Sequence, residues 1–283
     1  MILVVGATGT NGREVVKVLS QRGATVRALV RDPNKAGDLK LPGVETVPGD
    51  LGDVTSLDAA LRGIEKAFIV TAVDQRSPQW FRNFFDAAKR AKTQHIVKFS
   101  AMGAVHGTTE IPRQHGQSDQ WLKETGIPYT ILQPNSFFQN MLWAAPTIKD
   151  HGAFYLPLRD GRQSLIDVRD IAAVSAEVLT KPGHEGKTYE LTGSESLSYR
   201  DVAEVLSKVL GKSVKYVDVP PSAAHEAMLK NGMPAWNAAA VNAFYGEFAS
   251  GSYAYTTDAV QRITGKAPVT FEQFAREYAS VFK

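Results

Sequence analysis

The sequence predicts an α/β protein with a doubly wound parallel sheet of the Rossmann type and a smaller mixed α/β C-terminal lobe. Three observations predict this fold: an apolar amino-terminal run that glycines cut off, strands alternating with helices up to Pro134, and a changed rhythm after it. We place the main domain at residues 1–150 and the smaller lobe at 151–283. Part of the lobe is expected to contribute to the main sheet.

The first twelve residues organise the chain. Met1–Val5 is a short apolar run typical of a buried parallel strand, and a Gly-x-x-Gly-x-x-Gly turn and an amphipathic helix follow it. In this context Gly6 makes the tight turn, Gly9 lets the backbone approach a pyrophosphate, and Gly12 lets the helix pack closely. The helix amino terminus attracts phosphate. An ordinary strand-to-helix turn is the alternative. The expected cofactor-binding residues of this turn are Gly6, Thr8, Gly9, Thr10, Asn11 and Gly12.

The remaining elements follow in order. Further strands of the main sheet are predicted at 25–30, 44–47, 67–71, 95–99 and 129–132, and helices at 11–22, 56–61, 78–91 and 117–125. Beyond Pro134, strands are predicted at 153–156, 187–191 and 214–219, and helices at 167–180, 198–210 and 220–248, with two more before 282. The strand at 187–191 is the one that can pair back into the main sheet.

Composition excludes several classes of function. The net charge of +3 comes from scattered basic residues, which argues against nucleic acid as a partner. No cysteine is present, so disulfides, thiolate metal sites and cysteine nucleophiles are excluded, and a reducing cytoplasm fits. No His/Asp/Glu cluster has metal-ligand spacing, and no run approaches the roughly 20 apolar residues of a membrane span. We therefore expect a cytoplasmic protein with no metal site and no membrane partner.

Two cations at the end of the second strand predict the cofactor. An NAD enzyme of this architecture places an acidic residue there to bind the ribose 2′-hydroxyl, whereas this chain has Arg31 and, one turn later, Lys35. Cations at this position favour a 2′-phosphate, and hence NADP(H). The alternatives are that both are solvated surface charges, or that Asp32 binds the 2′-hydroxyl of NAD.

Other strand ends complete the expected cofactor site. Asp50 and Leu51 could flank the adenine; alternatively they belong to a turn before a helix that Asp53 caps. The ends of two further strands would face the nicotinamide, and the turn after the strand at 129–132 would line its other side. The residues expected there are Thr71, Ala72, Val73, Ser100, Pro134, Asn135 and Phe137.

A catalytic group is harder to find. None of the nine tyrosines has a lysine four residues later, so the Tyr-x-x-x-Lys device for carbonyl reduction is absent. His115, expected at the entrance of a helix, could relay a proton as a neutral imidazole; a surface histidine is the alternative. Phe137, Phe138 and Trp143 suggest an aromatic slot for a flat, quinone-like acceptor. For Phe138 and Trp143, packing in the core between the lobes is the alternative.

Three segments resemble the NmrA-like group of atypical short-chain dehydrogenases: 6–12, 30–35 and 126–135. A fourth, 183–193, is similar to the bacterial NADPH:quinone reductases of that group. The resemblance implies a Rossmann domain with a small lobe, NADP binding, and either reductase activity or cofactor sensing. Related phenylcoumaran and isoflavone reductases place a catalytic lysine eleven residues before the glycine that is Gly126 here, and His115 stands at that position. Gln133-Pro134 also replaces the Arg-Pro that is frequent in the family.

The leading hypothesis is an NADPH-dependent reductase that transfers a hydride to a quinone or similar flat electrophile, a small aromatic molecule. The alternative, from another class, is a non-catalytic NADP(H)-binding redox sensor. The apolar segment Trp236–Phe248 could be a lid, the core of the lobe or the interface of a homodimer.

Overall fold

The computed structural model describes residues 1–283, except for the side chain of Lys35. The chain divides into two compact units, each assembled from segments that are not consecutive in sequence. Unit 1 comprises 1–106, 112–134 and 171–190, and unit 2 comprises 107–111, 135–170 and 191–283.

A seven-stranded sheet organises unit 1. Its strands in chain order are β1 (Ile2–Val5), β2 (Val26–Val30), β3 (Val44–Pro48), β4 (Lys66–Ile69), β5 (His95–Phe99), β6 (Tyr129–Pro134) and β9 (Lys187–Leu191). Their order across the sheet is β3-β2-β1-β4-β5-β6-β9. The strand pairs from β3 to β6 are parallel. β9 is parallel to β6 as well, because Gly186 N–H donates to Tyr129 O and Asn135 N–H donates to Leu191 O. The predicted Rossmann-type α/β class is confirmed, with the strand order reversing between β1 and β4.

Five helices belong to this sheet. They are α1 (Thr10–Gln21), α2 (Val54–Ala60), α3 (Ser77–Arg90), α4 (Glu110–Glu124) and α6 (Val168–Thr180). One face of the sheet packs against α2, α3 and α4, where apolar side chains such as Ile69, Phe84 and Leu122 are completely buried. Side chains alternate along a strand, so Lys66 points to the opposite face, where its Nζ donates to Leu179 O of α6 at 2.7 Å.

Unit 2 consists of helices and two small sheets. Its strands are β7 (Ala153–Leu156), β8 (Arg162–Gln163), β10 (Leu197–Ser198) and β11 (Lys215–Asp218), which pair as β7 with β11 in parallel and β8 with β10 in antiparallel. Its helices are α5 (Ala145–His151), α7 (Tyr199–Leu210), α8 (Pro221–Lys230), α9 (Ala235–Ala249), α10 (Ala259–Thr264), α11 (Phe271–Glu277) and α12 (Ala279–Phe282). Short 3-10 helices lie at Pro33–Lys35, Gly37–Leu39 and Phe138–Ala144. The region predicted as helical at 220–248 is helical and divides into two helices: α8 ends at Lys230 before Gly232, and α9 begins at Ala235 after Pro234.

Candidate cofactor and active site

The glycine turn after β1 leaves no room for side chains at two of its positions. Gly6 has φ +80°, and a Cβ added there would lie 2.4 Å from Val70 O. At Gly12 an added Cβ would lie 2.2 Å from Gly6 O, so the first turn of α1 sits directly against the backbone of the glycine turn. Both glycines are therefore required by the fold itself.

Gly9 differs from its two neighbours. Its φ of −80° suits any residue, and the one atom within 4 Å of an added Cβ is Gly6 O, at 3.4 Å. A side chain here would project into open space rather than into protein. The fold itself does not require glycine at position 9, and the open space beside its backbone leaves room for an external group such as the predicted pyrophosphate.

The amino terminus of α1 is open to an anion. Gly9 occupies the cap position, so no side chain caps the helix, and its first turn holds no acidic residue. By contrast, α7 is closed by a capping box of Ser198 and Asp201. The buried Oδ1 of Asn11 has no hydrogen-bond partner in the described part of the chain. Free N–H groups, partial positive charge, open room and an unsatisfied polar atom together fit the phosphates and a hydroxyl of a dinucleotide.

Arg13 also belongs to this turn, although the sequence analysis missed it. Its guanidinium donates to Thr8 O at 3.2 Å and pairs with Asp38 Oδ2 at 3.0 Å. The sequence feature that could have identified it is a basic residue directly after Gly12. Arg13 therefore braces the outer side of the glycine turn, beside Thr8, Gly9 and Thr10, which are all exposed.

The end of β2 presents an unpaired cation. Arg31 is exposed and has no hydrogen bond or ion pair with any described residue. Asp32 instead accepts the N–H of Asn34 at 3.0 Å and caps the 3-10 turn that begins at Pro33. That bond commits an oxygen of Asp32 locally, which weakens the NAD alternative. The predicted contribution of Lys35 falls on the side chain outside the described part.

Asp50 and Leu51, at the end of β3, fit both interpretations offered for them. Asp50 Oδ1 accepts Gly52 N–H at 2.7 Å, and Asp53 caps α2 by accepting Thr55 N–H at 3.0 Å, as the turn interpretation expects. Asp50 is nevertheless exposed and Leu51 half-buried, so both retain surface for an adenine. Their cofactor contact stays a prediction.

The strand ends expected at the nicotinamide divide into exposed and buried groups. β4 ends at Ile69, two residues before the predicted end, and Thr71, Ala72 and Val73 follow it with surface exposed. Ser100 is 0% exposed, so the expected cofactor contact of its side chain is not supported by this structure. Pro134 is buried as well, and its carbonyl accepts Met102 N–H at 3.0 Å.

Asn135 and Phe137 belong to unit 2. Asn135 is 2% exposed, and its amide donates to Ser164 Oγ at 2.8 Å and to Tyr253 O at 3.0 Å. It is a structural anchor of unit 2, which its place after a strand could not reveal. Phe137 is half-buried and bridges to Ile166 through the backbone.

The two aromatic residues after Phe137 have opposite environments. Phe138 packs against Phe271 and Phe274 with ring centroids 5.2 and 5.6 Å away, so its core interpretation is correct within unit 2. Trp143 is 77% exposed, and its core interpretation is wrong.

His115 lies inside a helix and not at its entrance. α4 begins at Glu110, seven residues before the predicted start. Pro112 does not prevent this, because proline is tolerated in the first turn of a helix. Gly116 does not prevent it either, because glycine is needed there to fit against a neighbouring carbonyl. A Cβ on Gly116 would lie 2.0 Å from Ala104 O. The imidazole is half-buried, packs edge-on to Phe81 at 6.2 Å, and has a buried Nδ1 without a partner among the described residues.

The charge state of His115 follows from these surroundings. Burial, and then the positive charge of Lys98, lower the pKa of His115 to about 3. The ring is therefore neutral at physiological pH. A neutral imidazole can donate one hydrogen bond through its N–H but carries no second proton to give as an acid, and the role of His115 as a proton relay stays a prediction.

A buried ion pair beside His115 was not predicted. Lys98 of β5 is 0% exposed, and its Nζ lies 2.6 Å from Asp119 Oδ1 of α4. Asp119 Oδ2 accepts Ser100 Oγ at 2.7 Å and Gln133 Nε2 at 3.1 Å. A lysine within the apolar strand His95–Phe99 was the signal that could have found this network.

Among the described residues, no group of three or more His, Cys, Asp or Glu side chains could hold a metal ion. In the same part of the chain, no helix has the length and apolar character needed to cross a membrane.

Comparison with known proteins identifies the family. The model of the NmrA-like family matches residues 1–275. The chain is 41% identical over 283 residues to an NAD(P)H azoreductase of Xenophilus azovorans, covering 100% of this chain and 99% of the relative. It is 34% identical over 238 residues to quinone oxidoreductase 2 of Escherichia coli, covering 83% of each.

A solved structure agrees with this assignment. The NADPH-dependent quinone oxidoreductase of Escherichia coli, crystallised with NADPH, superposes with a TM-score of 0.90 at 28% identity, covering 98% of this chain and 99% of that one. The family resemblance predicted from the sequence is confirmed: this chain belongs to the NmrA-like family.

Proposed function

We propose that this protein is an NADPH-dependent reductase that transfers a hydride to a quinone, or to a similarly flat electrophile such as an azo compound. The observation that carries the proposal is the open amino terminus of α1, where Gly9 leaves space beside the backbone that no side chain of the fold fills. It lies where the strand order reverses, the place at which open α/β sheets bind ligands.

The relatives support the enzyme class. Two curated relatives are named NAD(P)H azoreductase and quinone oxidoreductase, and the structural neighbour holds NADPH. The predicted NAD(P)H-dependent oxidoreductase is confirmed at this level, with NADP(H) as cofactor and a small molecule as substrate. The rival hypothesis of a non-catalytic sensor receives no better support from the same relatives.

Residues of unit 1 supply the cofactor's binding groups. The first turn of α1 offers N–H groups to the pyrophosphate, and Gly9 leaves room for it. Arg31, exposed and unpaired within the described part, binds the 2′-phosphate and so selects NADPH over NADH. The half-buried Thr71 and the exposed Ala72 and Val73 follow the carboxyl end of β4 and are proposed to lie beside the nicotinamide.

The main task of the protein in this reaction is to hold the cofactor and the acceptor next to each other. When bound, NADPH supplies a hydride, which is one proton with two electrons, and the acceptor needs one further proton to become a hydroquinone or a hydrazo product. The neutral His115 donates a hydrogen bond to the acceptor and passes on a proton drawn from solvent. No tyrosine–lysine pair is needed, because the acceptor is already electrophilic.

The test is oxidation of NADPH, followed at 340 nm, against a panel of quinones, azo dyes and enones. We expect consumption that requires both protein and acceptor, and a marked preference for NADPH over NADH. Binding of NADPH without consumption by any acceptor would refute the enzyme and favour the sensor. Equal use of NADH would refute the role of Arg31.

A homodimer and a cytoplasmic location stay predictions. Light scattering on the purified protein tests the first, and fractionation of cells tests the second.

A further inference from the structure

Lys98 lies in an unusual place for a lysine. It is completely buried in β5, a central strand, with its Nζ 4.5 Å from the centre of the Phe81 ring. Removing an ammonium group from water costs several kcal/mol unless its partners compensate. The charge of Lys98 helps to keep His115 neutral, but the mechanism proposed above gives Lys98 no contact with cofactor or acceptor, so its buried position needs a further explanation.

Lys98 is level with the cofactor edge of the sheet. Across the strands it pairs with Ile69, and Ile69 pairs with Val5, the last residue before the glycine turn. Paired residues of parallel strands point to the same face, so Lys98 lies on the side covered by α3 and α4. It therefore sits just beneath the edge that receives the nicotinamide.

Asp119 completes the buried pair and joins three elements. One oxygen accepts the Lys98 ammonium, and the other accepts Ser100 Oγ of the turn after β5 and Gln133 Nε2 of β6. The carboxylate is thus hydrogen-bonded on both oxygens. The pair fixes α4 against the ends of β5 and β6.

The same ammonium reaches the backbone of His115. Lys98 Nζ lies 3.5 Å from His115 O, which also accepts Ser118 Oγ at 3.0 Å. The next residue, Gly116, contacts the Ala104 carbonyl too closely for any side chain. The imidazole itself has no hydrogen-bond partner on its buried Nδ1 within the described part. The hydrogen bonds that hold His115 are therefore made by its main chain, while its ring contacts Phe81 edge-on.

We propose that Lys98 is a positioning residue: through its buried pair with Asp119 it fixes the main chain of His115 at the cofactor edge. This inference rests on the proposed function, because it assigns His115 one location from which to serve the acceptor. This role explains why the pair is buried: a hydrogen-bonded network that is shielded from water is rigid and holds its members in one geometry.

The test replaces the pair without leaving an unpaired charge. In the double variant Lys98→Met with Asp119→Asn, the amide still accepts Ser100 Oγ while the ammonium and its bond to His115 are lost. Replacement of a buried ion pair by neutral groups is often neutral for stability. We expect cooperative unfolding, an NADPH Kd within about twofold of the unaltered protein, and a kcat lowered about tenfold or more.

Lys66→Met is the matched control. Lys66 is the other strand lysine that donates to a backbone carbonyl, Leu179 O, but it lies at the opposite end of β4 and on the opposite face. Its loss should leave kcat unchanged. If the double variant does not fold, Lys98→Gln replaces it, because the shorter amide still bonds Asp119 but stops short of His115 O; the same results are expected.

A second readout is independent of activity. With isotopically labelled histidine, the His115 ring should give one sharp set of NMR signals in the unaltered protein and in Lys66→Met, and broadened or multiple signals in the double variant. Failure of the unaltered protein to oxidise NADPH would refute the proposed function and leave this NMR test intact. Unchanged kcat, or a lowered kcat with unchanged His115 signals, would overturn the positioning role.

Discussion

Gly9→Ala is expected to separate cofactor binding from folding. The added methyl lies 3.4 Å from Gly6 O and meets no other atom within 4 Å, and the φ of −80° suits alanine. Restricting the unfolded chain adds about 0.4–1 kcal/mol of stability, whereas alanine is a poorer N-cap residue than glycine by about 1 kcal/mol, so the net stability should change by no more than about 1 kcal/mol. In the complex, however, the methyl occupies the space that the pyrophosphate needs. Losing one charge-assisted N–H bond to a phosphate costs about 1.5–3 kcal/mol, which raises the Kd for NADPH roughly 10- to 150-fold.

The assay is titration calorimetry with NADPH beside a thermal melt of each protein. Gly246→Ala is the control, because Gly246 also has open space around it and lies in α9 of unit 2. Gly12→Ala gives the opposite pattern: its Cβ would lie 2.2 Å from Gly6 O, and overpacking of this kind costs about 1–3 kcal/mol of stability. Unchanged NADPH affinity in Gly9→Ala, or a loss of stability as large as that of Gly12→Ala, would refute the argument for an external phosphate at this position.

Three further predictions concern single side chains. Arg31→Ala should raise KM for NADPH about 10- to 150-fold and leave KM for NADH unchanged, because the lost contact is to the 2′-phosphate alone; equal effects on both cofactors would contradict it. His115→Ala should lower kcat about 100-fold, the usual cost of one donor at a reacting centre, with NADPH affinity retained; unchanged turnover would remove His115 from the reaction. Asp170→Asn should stabilise the protein above pH 6. Burial raises the pKa of Asp170 from 3.8 to about 6, so stability present below pH 3.8 is lost as pH rises through 6. The asparagine of the variant can still accept Val269 N–H, so the variant should not show this loss of stability, which amounts to up to about 3 kcal/mol. The measurement is the free energy of unfolding from urea titrations at pH 4 and 7.5; the same change between the two pH values in both proteins would contradict the prediction.

The periodic elements could be predicted because their causes are local. The strands His95–Phe99, Ala153–Leu156 and Lys187–Leu191 have the predicted bounds, since each is a short run of strand-forming residues between turn signals. The predicted start of α4 was seven residues too late because Pro112 and Gly116 usually interrupt helices, whereas both are accommodated in this helix. One is tolerated in the first turn, and the other is required by a neighbouring carbonyl.

Site residues whose role depends on backbone geometry could be predicted from the sequence, whereas those whose role depends on side-chain burial could not. The roles of Gly6, Gly9 and Gly12 follow from the spacing of a strand–turn–helix, and the structure gives each a separate physical reason. Whether Ser100 and Asn135 face a cofactor depends on side chains that come from distant segments, such as Asp119 and Tyr253. Sequence order alone does not contain that information.

The most direct test of the central claim is a paired measurement of NADPH and NADH oxidation at 340 nm with one quinone. We predict consumption only when protein and quinone are both present, with kcat/KM for NADPH at least about tenfold above that for NADH, the lower bound set by one phosphate contact. Tight binding of NADPH without any consumption would contradict the account.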